Sequence, residues 1–304
     1  MTTELDTLAT ALYVRVDDLL KSAPELAPWR PRVGIAPRLS DAELVTLAVL
    51  SALLGYHCER RWLRYAHAEL RGMFPCLPQQ SGYGKRLRKS IPLVTAVIRF
   101  LACDTSLWWD EVWVADSTPV ECGRSVETAR RSALAGWAEY GYCASHSRYF
   151  WGLRLHLVCT LGGLPVLFAL SGAKADEREV LLGMLATAPR VLADHRHPTL
   201  IADRQFYGRA FERELAEGGV RLLRPARAGE AERAGAQLFK PLRQTIESIN
   251  QTFKAQLDLE RHGGRTPAGV TVRVFVKVLA LTAAIWHNDH TGQPIKRSLT
   301  RYDH

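Results

Sequence analysis

Two aspartates that each follow a short apolar segment could serve metal-dependent chemistry. Asp116 follows Val114 and Ala115, and Asp203 follows residues 200–202. Such segments are typical of buried strands, and in α/β sheets the strand ends carry sites because the rigid sheet fixes side chains where the chain turns. Two carboxylates on neighbouring strand ends can hold a divalent cation between them. One such aspartate alone indicates less, because it can also cap the following helix.

A third carboxylate lies on a predicted helix over residues 242–259. Polar residues that recur at helical spacing share one face of this helix: Arg243, Glu247, Asn250, Gln251 and Lys254. Apolar residues form the other face, which we expect to pack on a sheet: Ile246, Ile249, Phe253 and Leu257. Glu247 is thus a carboxylate flanked by two cations that could bind phosphate. A salt bridge between Arg243 and Glu247 on a solvated face explains the same spacing.

The elements that must position these residues change type near residue 107. The first third is predicted to be helical, and Ser40 with Glu43 three residues later is typical of a capping box. After residue 107 we predict strands at 113–115, 151–160, 164–170, 199–202 and 220–223, and helices at 177–188, 207–217, 242–259 and 272–288. A Gly162-Gly163 turn joins the second and third strands as a hairpin. This order predicts a mixed α/β sheet flanked by helices, with a loop or short helices over residues 124–147.

The composition of the chain indicates a polyanionic partner. Its 304 residues include 40 Lys or Arg and 31 Asp or Glu, a formal net charge of +9. This charge favours nucleic acid, although charge alone is equally compatible with an ordinary basic enzyme. The six cysteines form no CxxC pair, so a zinc ribbon is not predicted. With no signal peptide at the N-terminus, and with Arg273 and Lys277 interrupting the apolar stretch 270–286, the sequence predicts a soluble, cytoplasmic protein.

Basic residues concentrate in the predicted helical region. Residues 57–102 contain nine Lys or Arg and two Glu, and the basic residues alternate with aromatic ones. Two groups stand out as candidate phosphate contacts: Arg60, Arg61 and Arg64, and then Lys85, Arg86, Arg88 and Lys89. A solvated helix face is the alternative explanation. The local excess of one sign favours nucleic-acid contact.

Three segments of the chain resemble the signature regions of DDE-type insertion-sequence transposases. They are Val114-Ala115-Asp116-Ser117-Thr118, Ala202-Asp203-Arg204-Gln205-Phe206-Tyr207, and the Arg-x3-Glu-x6-Lys pattern of Arg243, Glu247 and Lys254. The resemblance extends to residues 150–156 and 163–176, and it spans residues 111–288 in all. The family usually has Asp-Lys-Gly-Tyr in the second segment, where this chain has Asp203-Arg204-Gln205-Phe206-Tyr207.

The resemblance implies a ribonuclease-H-like α/β catalytic domain at residues 107–290. A helical DNA-binding region at 1–106 would precede it, and a tail at 291–304 would follow. In such an enzyme Asp116, Asp203 and Glu247 are the catalytic residues and the ligands of two Mg²⁺ (or Mn²⁺) ions. Hard carboxylate oxygens suit Mg²⁺, and a pair of ions can activate the attacking oxygen and stabilise the leaving oxygen of a phosphodiester.

The same resemblance implies the substrate and the partners. The enzyme would cut transposon ends and transfer the freed 3′-OH into target DNA, acting as a homodimer on terminal inverted repeats. Further phosphate contacts are expected in the catalytic domain, from Arg204, Arg243 and Lys254.

Other interpretations of the sequence stay open. A metal-dependent nuclease without strand transfer shares the same three acids, and a catalytically inactive, transposase-derived DNA-binding protein is a further alternative. Asp176 and Glu177 could assist the site, although an acidic pair at a helix N-terminus explains them more simply.

Overall fold

The structure is a computed structural model that describes residues 3–31, 33–143, 147–233, 235, 239–295, 299 and 302. The side chains of residue 3 and of residues 240–243 are not part of that description. The chain divides into two compact units. We call them the helical unit, Met1–Asp104 with Ala255–His304, and the sheet unit, Thr105–Lys254.

Helices and strands follow one another in the order that the sequence predicts, with additions. The helices are α1 (Thr3–Ser22), α2 (Asp41–Leu53), α3 (Glu59–Glu69), α4 (Gln80–Lys89), α5 (Ile91–Cys103), α6 (Val126–Arg131), α7 (Glu177–Ala186), α8 (Pro189–Ala193), α9 (Arg209–Glu217), α10 (Phe239–Gln251) and α11 (Pro267–His290). The strands are β1 (Val112–Gly123), β2 (Glu139–Cys143), β3 (Arg148–Thr160), β4 (Pro165–Gly172), β5 (Thr199–Ile201) and β6 (Arg221–Leu223).

The helical unit is built around α2 and α11. The predicted capping box begins α2: Ser40 Oγ accepts a hydrogen bond from the backbone N–H of Glu43 at 3.0 Å, and Glu43 Oε2 accepts one from that of Ser40 at 2.6 Å. Two backbone donors at the start of the helix are satisfied in this way, which fixes where the helix begins. Most of α2 is buried, and α11 packs against α1, α2 and α5.

Helix α11 is long and apolar enough, by length and composition, to cross a membrane. However, 78% of its most apolar window is buried inside the protein, as is typical of a core helix. Lys277 is buried on this helix and donates a hydrogen bond to the backbone carbonyl of Leu257. Burial lowers the pKa of Lys277 to about 8, and the nearby charge of Asp258 partly opposes this change. The sequence prediction of a buried helix is confirmed.

The sheet unit carries a six-stranded mixed sheet of the ribonuclease-H-like α/β class. The strand order is β2-β3-β1-β5-β6, and β4 also pairs with β3. Strand β3 is antiparallel to β1, β2 and β4, whereas β5 is parallel to β1 and β6 is parallel to β5. Helix α10 packs on β1, and α7 packs on β3 and β4. The fold class expected from the sequence is confirmed.

The hairpin between β3 and β4 turns at the predicted glycine pair. Gly163 has a φ of +89°, a conformation that costs glycine little because it has no Cβ. A Cβ on Gly162 would lie 2.7 Å from the side chain of Leu107, so a larger residue there would force a shift.

Three local expectations need correction. The segment expected to be a loop or short helices contains strand β2, which pairs with β3. Strand β1 runs on to Gly123, so Asp116 lies within it and not at its end. The regular part of α10 ends at Gln251 and continues as a π-helical turn over Thr252–Gln256.

The predicted boundaries at 106 and 290 stay a prediction. The compact units divide the chain differently, because Ala255–His304 is grouped with the N-terminal helices. The apolar face of α11 packs on helices α1, α2 and α5, and the order of elements along the chain does not show which partner a helix packs against.

Candidate active site

Asp116 and Asp203 occupy equivalent positions beyond one pair of strands. Strands β1 and β5 are parallel, and their last paired residues are Val114 and Ile201. Each aspartate follows its paired residue by two positions. Side chains two residues apart on a strand point to the same face, and neighbouring strands lie about 4.8 Å apart. The pairing therefore places the two aspartates beside each other at the level where β5 ends.

Asp116 is half-buried and held by two hydrogen bonds. Its Oδ1 accepts one from the backbone N–H of Ser117 at 2.8 Å, and its Oδ2 accepts one from Asn250 Nδ2 at 2.6 Å. Burial raises the pKa of Asp116 to about 6. The negative charges of Glu177 and Asp203 raise this pKa further, whereas the two hydrogen bonds lower it. Negative charge is therefore costly at this position, and a bound cation would relieve that cost.

Asp203 is exposed in the turn that follows β5. Its Oδ1 accepts a hydrogen bond from the backbone N–H of Gln205 at 2.7 Å, which fixes the carboxylate at the start of the turn. Its charge acts on the pKa of Asp116, so the two carboxylates are close enough to interact. The structure thus brings together two of the three predicted acids.

Glu247 lies on α10, on the helix that reaches Asp116. Its side chain is exposed, and it precedes Asn250 by three residues, about 4.5 Å along a helix axis. The buried residue Ile249 orients this helix on the sheet unit, since its side chain lies 3.6 Å from the position of a Cβ on Gly163. Among the described residues, no three His, Cys, Asp or Glu side chains are grouped to hold a metal ion. The structure therefore does not join Glu247 to the two aspartates in one such group.

The donors around Asp116 nevertheless fit a hard divalent cation. Asn250 Oδ1 is buried and has no hydrogen-bond partner among the described residues. Mg²⁺ prefers carboxylate and amide oxygens and commonly keeps several water or phosphate oxygens as its remaining ligands. Two aspartate carboxylates with one unsatisfied amide oxygen are a donor set of this kind.

A second polar network lies on the other face of β1. Ser117 Oγ donates a hydrogen bond to Glu177 Oε1 at 2.6 Å, and Arg154 Nη1 donates to Ser117 Oγ at 2.8 Å and to Glu177 Oε1 at 3.2 Å. Asp176 caps α7, accepting from the backbone N–H of Arg178 at 2.9 Å. The sequence predicted an acidic pair at the start of this helix but not the link from Glu177 to β1. Alternation along β1, which sends Ser117 away from the face of Asp116, was the signal that could have revealed it.

The basic groups of the helical unit differ in their freedom to bind DNA. Arg60, Arg61 and Arg64 are exposed on α3, and Lys85, Arg88 and Lys89 are exposed on α4. Lys89 lies 5.5 Å from the ring centre of Trp29. Arg86 is largely covered and is bound to the start of α2, donating to Leu39 O and to Asp41 Oδ1, each at 2.8 Å. Its role in the folded chain is structural.

The candidate contacts in the sheet unit are only partly described. Arg204 is exposed beside Asp203, and Lys254 is half-buried in the π-helical turn. The side chain of Arg243 lies outside the described residues.

A comparison with protein families identifies the class to which this site belongs. The family model described as a transposase DDE domain matches residues 110–283, more than half of the chain. The protein therefore belongs to the family of DDE-domain transposases. No curated protein matches the chain. Membership in this family supports a DNA-acting enzyme of the nuclease and transferase type, and such transposases generally use divalent metal ions.

Proposed function

We propose that this protein is a DNA transposase that cuts transposon ends and transfers the freed 3′-OH strand into target DNA. The observation that carries the proposal is the equivalent placement of Asp116 and Asp203, each two residues after the last paired residues of the parallel strands β1 and β5, in a chain of the DDE family. Two adjacent carboxylates, one on a strand and one in the turn after the neighbouring strand, supply a site for phosphoryl transfer, which needs positioning and charge stabilisation and no protein nucleophile.

In this proposal Asp116, Asp203 and Glu247 hold two Mg²⁺ (or Mn²⁺) ions. When bound, such a pair of ions polarises the phosphodiester and stabilises the attacking and leaving oxygens. The part of the protein is to fix the ligands. Strand β1 and the hydrogen bond from Asn250 hold Asp116, and the turn after β5 holds Asp203. Glu247 would join them from the exposed face of α10. Because that face would lie against the DNA, we expect bound DNA to move Glu247 more than either aspartate.

The basic residues would bind the DNA backbone. The exposed residues of α3 and α4 present two groups of cations: Arg60, Arg61 and Arg64, and Lys85, Arg88 and Lys89. Arg204, Arg243 and Lys254 would contact phosphates beside the acids. Because one element has two ends, we propose a homodimer that pairs two terminal inverted repeats. Its location would be cytoplasmic and nucleoid-associated, where its DNA substrate lies.

A donor-plasmid assay tests this function. The donor carries the coding sequence with its native flanking DNA, and a second plasmid serves as target. With Mg²⁺ or Mn²⁺ we expect cleaved ends and products joined to the target, both of them absent with Asp203→Asn. Cleavage without joined product would instead support a nuclease. Binding of the flanking DNA without cleavage would support an inactive, transposase-derived protein.

A further inference from the structure

The side-chain amide of Asn250 has one satisfied end and one unsatisfied end. Its Nδ2 donates to Asp116 Oδ2 at 2.6 Å, whereas its Oδ1 is buried without a hydrogen-bond partner among the described residues. An ionised carboxylate can only accept hydrogen bonds, so the nitrogen end must face Asp116. The amide oxygen is therefore the end of the side chain that does not face Asp116 Oδ2.

A buried acceptor without a partner is costly, and proteins seldom retain one without a reason. Near a pair of aspartates, the simplest reason is a positive charge, because an amide oxygen is a good ligand for Mg²⁺ or Mn²⁺. Asn250 also lies one helical turn after Glu247, so the same face of α10 presents both oxygens.

We propose that Asn250 is a further residue of the metal site, in which Nδ2 positions Asp116 and Oδ1 is a ligand of the divalent ion. The inference rests on the proposed function, because it presumes that Asp116 binds a cation. It adds a ligand that a search for carboxylates overlooks. Helix α10 would then supply two ligands, the neutral amide oxygen of Asn250 and the carboxylate of Glu247.

Binding of Mn²⁺ alone to the full-length protein tests this inference, with free Mn²⁺ followed by electron paramagnetic resonance. Asn250→Leu keeps the approximate size of the side chain but removes both polar ends. We expect its Mn²⁺ affinity to fall by about 10- to 100-fold, the usual effect of losing a ligand or a group that orients one. Gln244→Leu, at an exposed position of the same helix, should bind Mn²⁺ like the wild type.

Asn250→Asp separates a ligand from a mere hydrogen-bond donor. It loses the donor but keeps an oxygen at the same position, so a ligand role predicts Mn²⁺ affinity equal to or above that of the wild type. Asn250→Asp also adds a negative charge, which attracts Mn²⁺ even without direct binding. Gln251→Glu adds the same charge at the neighbouring exposed residue, so its change in Mn²⁺ affinity measures that attraction. If Asn250→Asp binds as weakly as Asn250→Leu once this correction is made, Asn250 only donates a hydrogen bond and the ligand assignment is wrong.

The outcomes also separate this inference from the proposed function. A wild-type protein that binds Mn²⁺, together with an Asn250→Leu variant of equal affinity, overturns the role of Asn250 and leaves the transposase proposal standing. A wild-type protein that binds no Mn²⁺ even with DNA overturns both. Circular dichroism of each variant establishes that it is folded. If Asn250→Leu fails to fold, Asn250→Asp and Asn250→Ser still decide the question, since serine is too short to reach the ion and should bind weakly.

Discussion

Asp116 and Asp203 each lie two residues beyond the last paired residues of two parallel strands. Strand β5 ends at its last paired residue, Ile201. Strand β1 continues to Gly123, because β3, its antiparallel partner on the other side, is much longer than β5. Asp116 is therefore held on a continuous strand, whereas Asp203 lies in a turn in which the backbone N–H of Gln205 holds its carboxylate. A cation bound here would thus take one ligand from a strand and one from a turn, both of them held by hydrogen bonds.

Replacing Asp116 should separate catalysis from DNA binding. Asp116→Asn keeps the size of the side chain but removes the negative charge that a divalent ion requires. We expect cleavage of the native ends to fall by several orders of magnitude, while the affinity for end DNA stays the same or increases because a charge that repels phosphate is gone. Cleavage kinetics and a gel-shift titration on one preparation measure both.

The control for this variant is Asp194→Asn, an exposed aspartate that follows α8 in the same unit. It should cleave like the wild type. If Asp116→Asn also cleaved at the wild-type rate, Asp116 would have no part in the chemistry.

The exposed cations of α4 should govern the salt dependence of DNA binding. Each phosphate contact contributes about 0.9 to the slope of log K against log salt on duplex DNA. Replacing Lys85, Arg88 and Lys89 with Ala should therefore flatten that slope by roughly 1 to 3 units. Binding titrations at several salt concentrations measure it. An unchanged slope would mean that these residues of α4 are solvated and do not contact phosphate. The DNA contacts would then have to come from α3 and the sheet unit.

Arg86 should behave differently from its three neighbours. Its guanidinium joins α4 to the start of α2 through Leu39 and Asp41, and Asp41 is itself 8% exposed. Arg86→Ala would leave a covered carboxylate with one fewer partner. We expect a loss of about 1–3 kcal/mol in the free energy of unfolding with little change in the salt slope of the folded fraction. Urea denaturation checks the first expectation, and a large slope change without destabilisation would contradict both.

His156 should make the stability of the sheet unit sensitive to acid. Burial, and then the charge of Arg154, lowers the pKa of His156 to about 4, and its Nε2 lies 2.7 Å from Ser171 Oγ. In the unfolded chain a histidine titrates near about 6.5. Between these values the unfolded state binds more protons than the folded state, so stability falls as pH decreases through that window.

The difference in unfolding free energy between the wild type and His156→Gln isolates this effect. From pH 7 to pH 4, the wild type should lose up to about 3 kcal/mol of unfolding free energy relative to His156→Gln. His197→Gln, at an exposed histidine, controls for the loss of an imidazole. A pH-independent difference for His156→Gln would show that His156 does not remain neutral in the folded chain.

Local signals in the sequence predicted the local features of this fold. Ser40 and Glu43 suffice for a capping box because both hydrogen bonds form within one turn. The pair Gly162-Gly163 suffices for a hairpin turn because Gly163 adopts a positive φ cheaply and Gly162 leaves room for the side chain of Leu107. Strand β2 escaped prediction because its pairing with β3, and not its own composition, makes it a strand.

The candidate site was predictable in its residue types and less so in its geometry. The spacing of α10 placed Glu247 and Asn250 on one face, but which of them contacts Asp116 depends on how the helix lies on the sheet. Similarly, residue type alone does not distinguish Arg86 from Lys85 or Arg88. That distinction comes from the start of α2, which is far away in the chain.

A crystal of the full-length protein with end DNA and Mn²⁺ would show whether the acids of this chain hold divalent ions against DNA. Anomalous scattering locates Mn²⁺ without reference to the expected ligands. We expect anomalous peaks within about 2.5 Å of carboxylate oxygens of Asp116 and Asp203, with Glu247 on the same ion or on a second one about 3.5–4 Å away. Mn²⁺ found only elsewhere, or a Glu247 carboxylate directed away from both aspartates in the DNA complex, would contradict it.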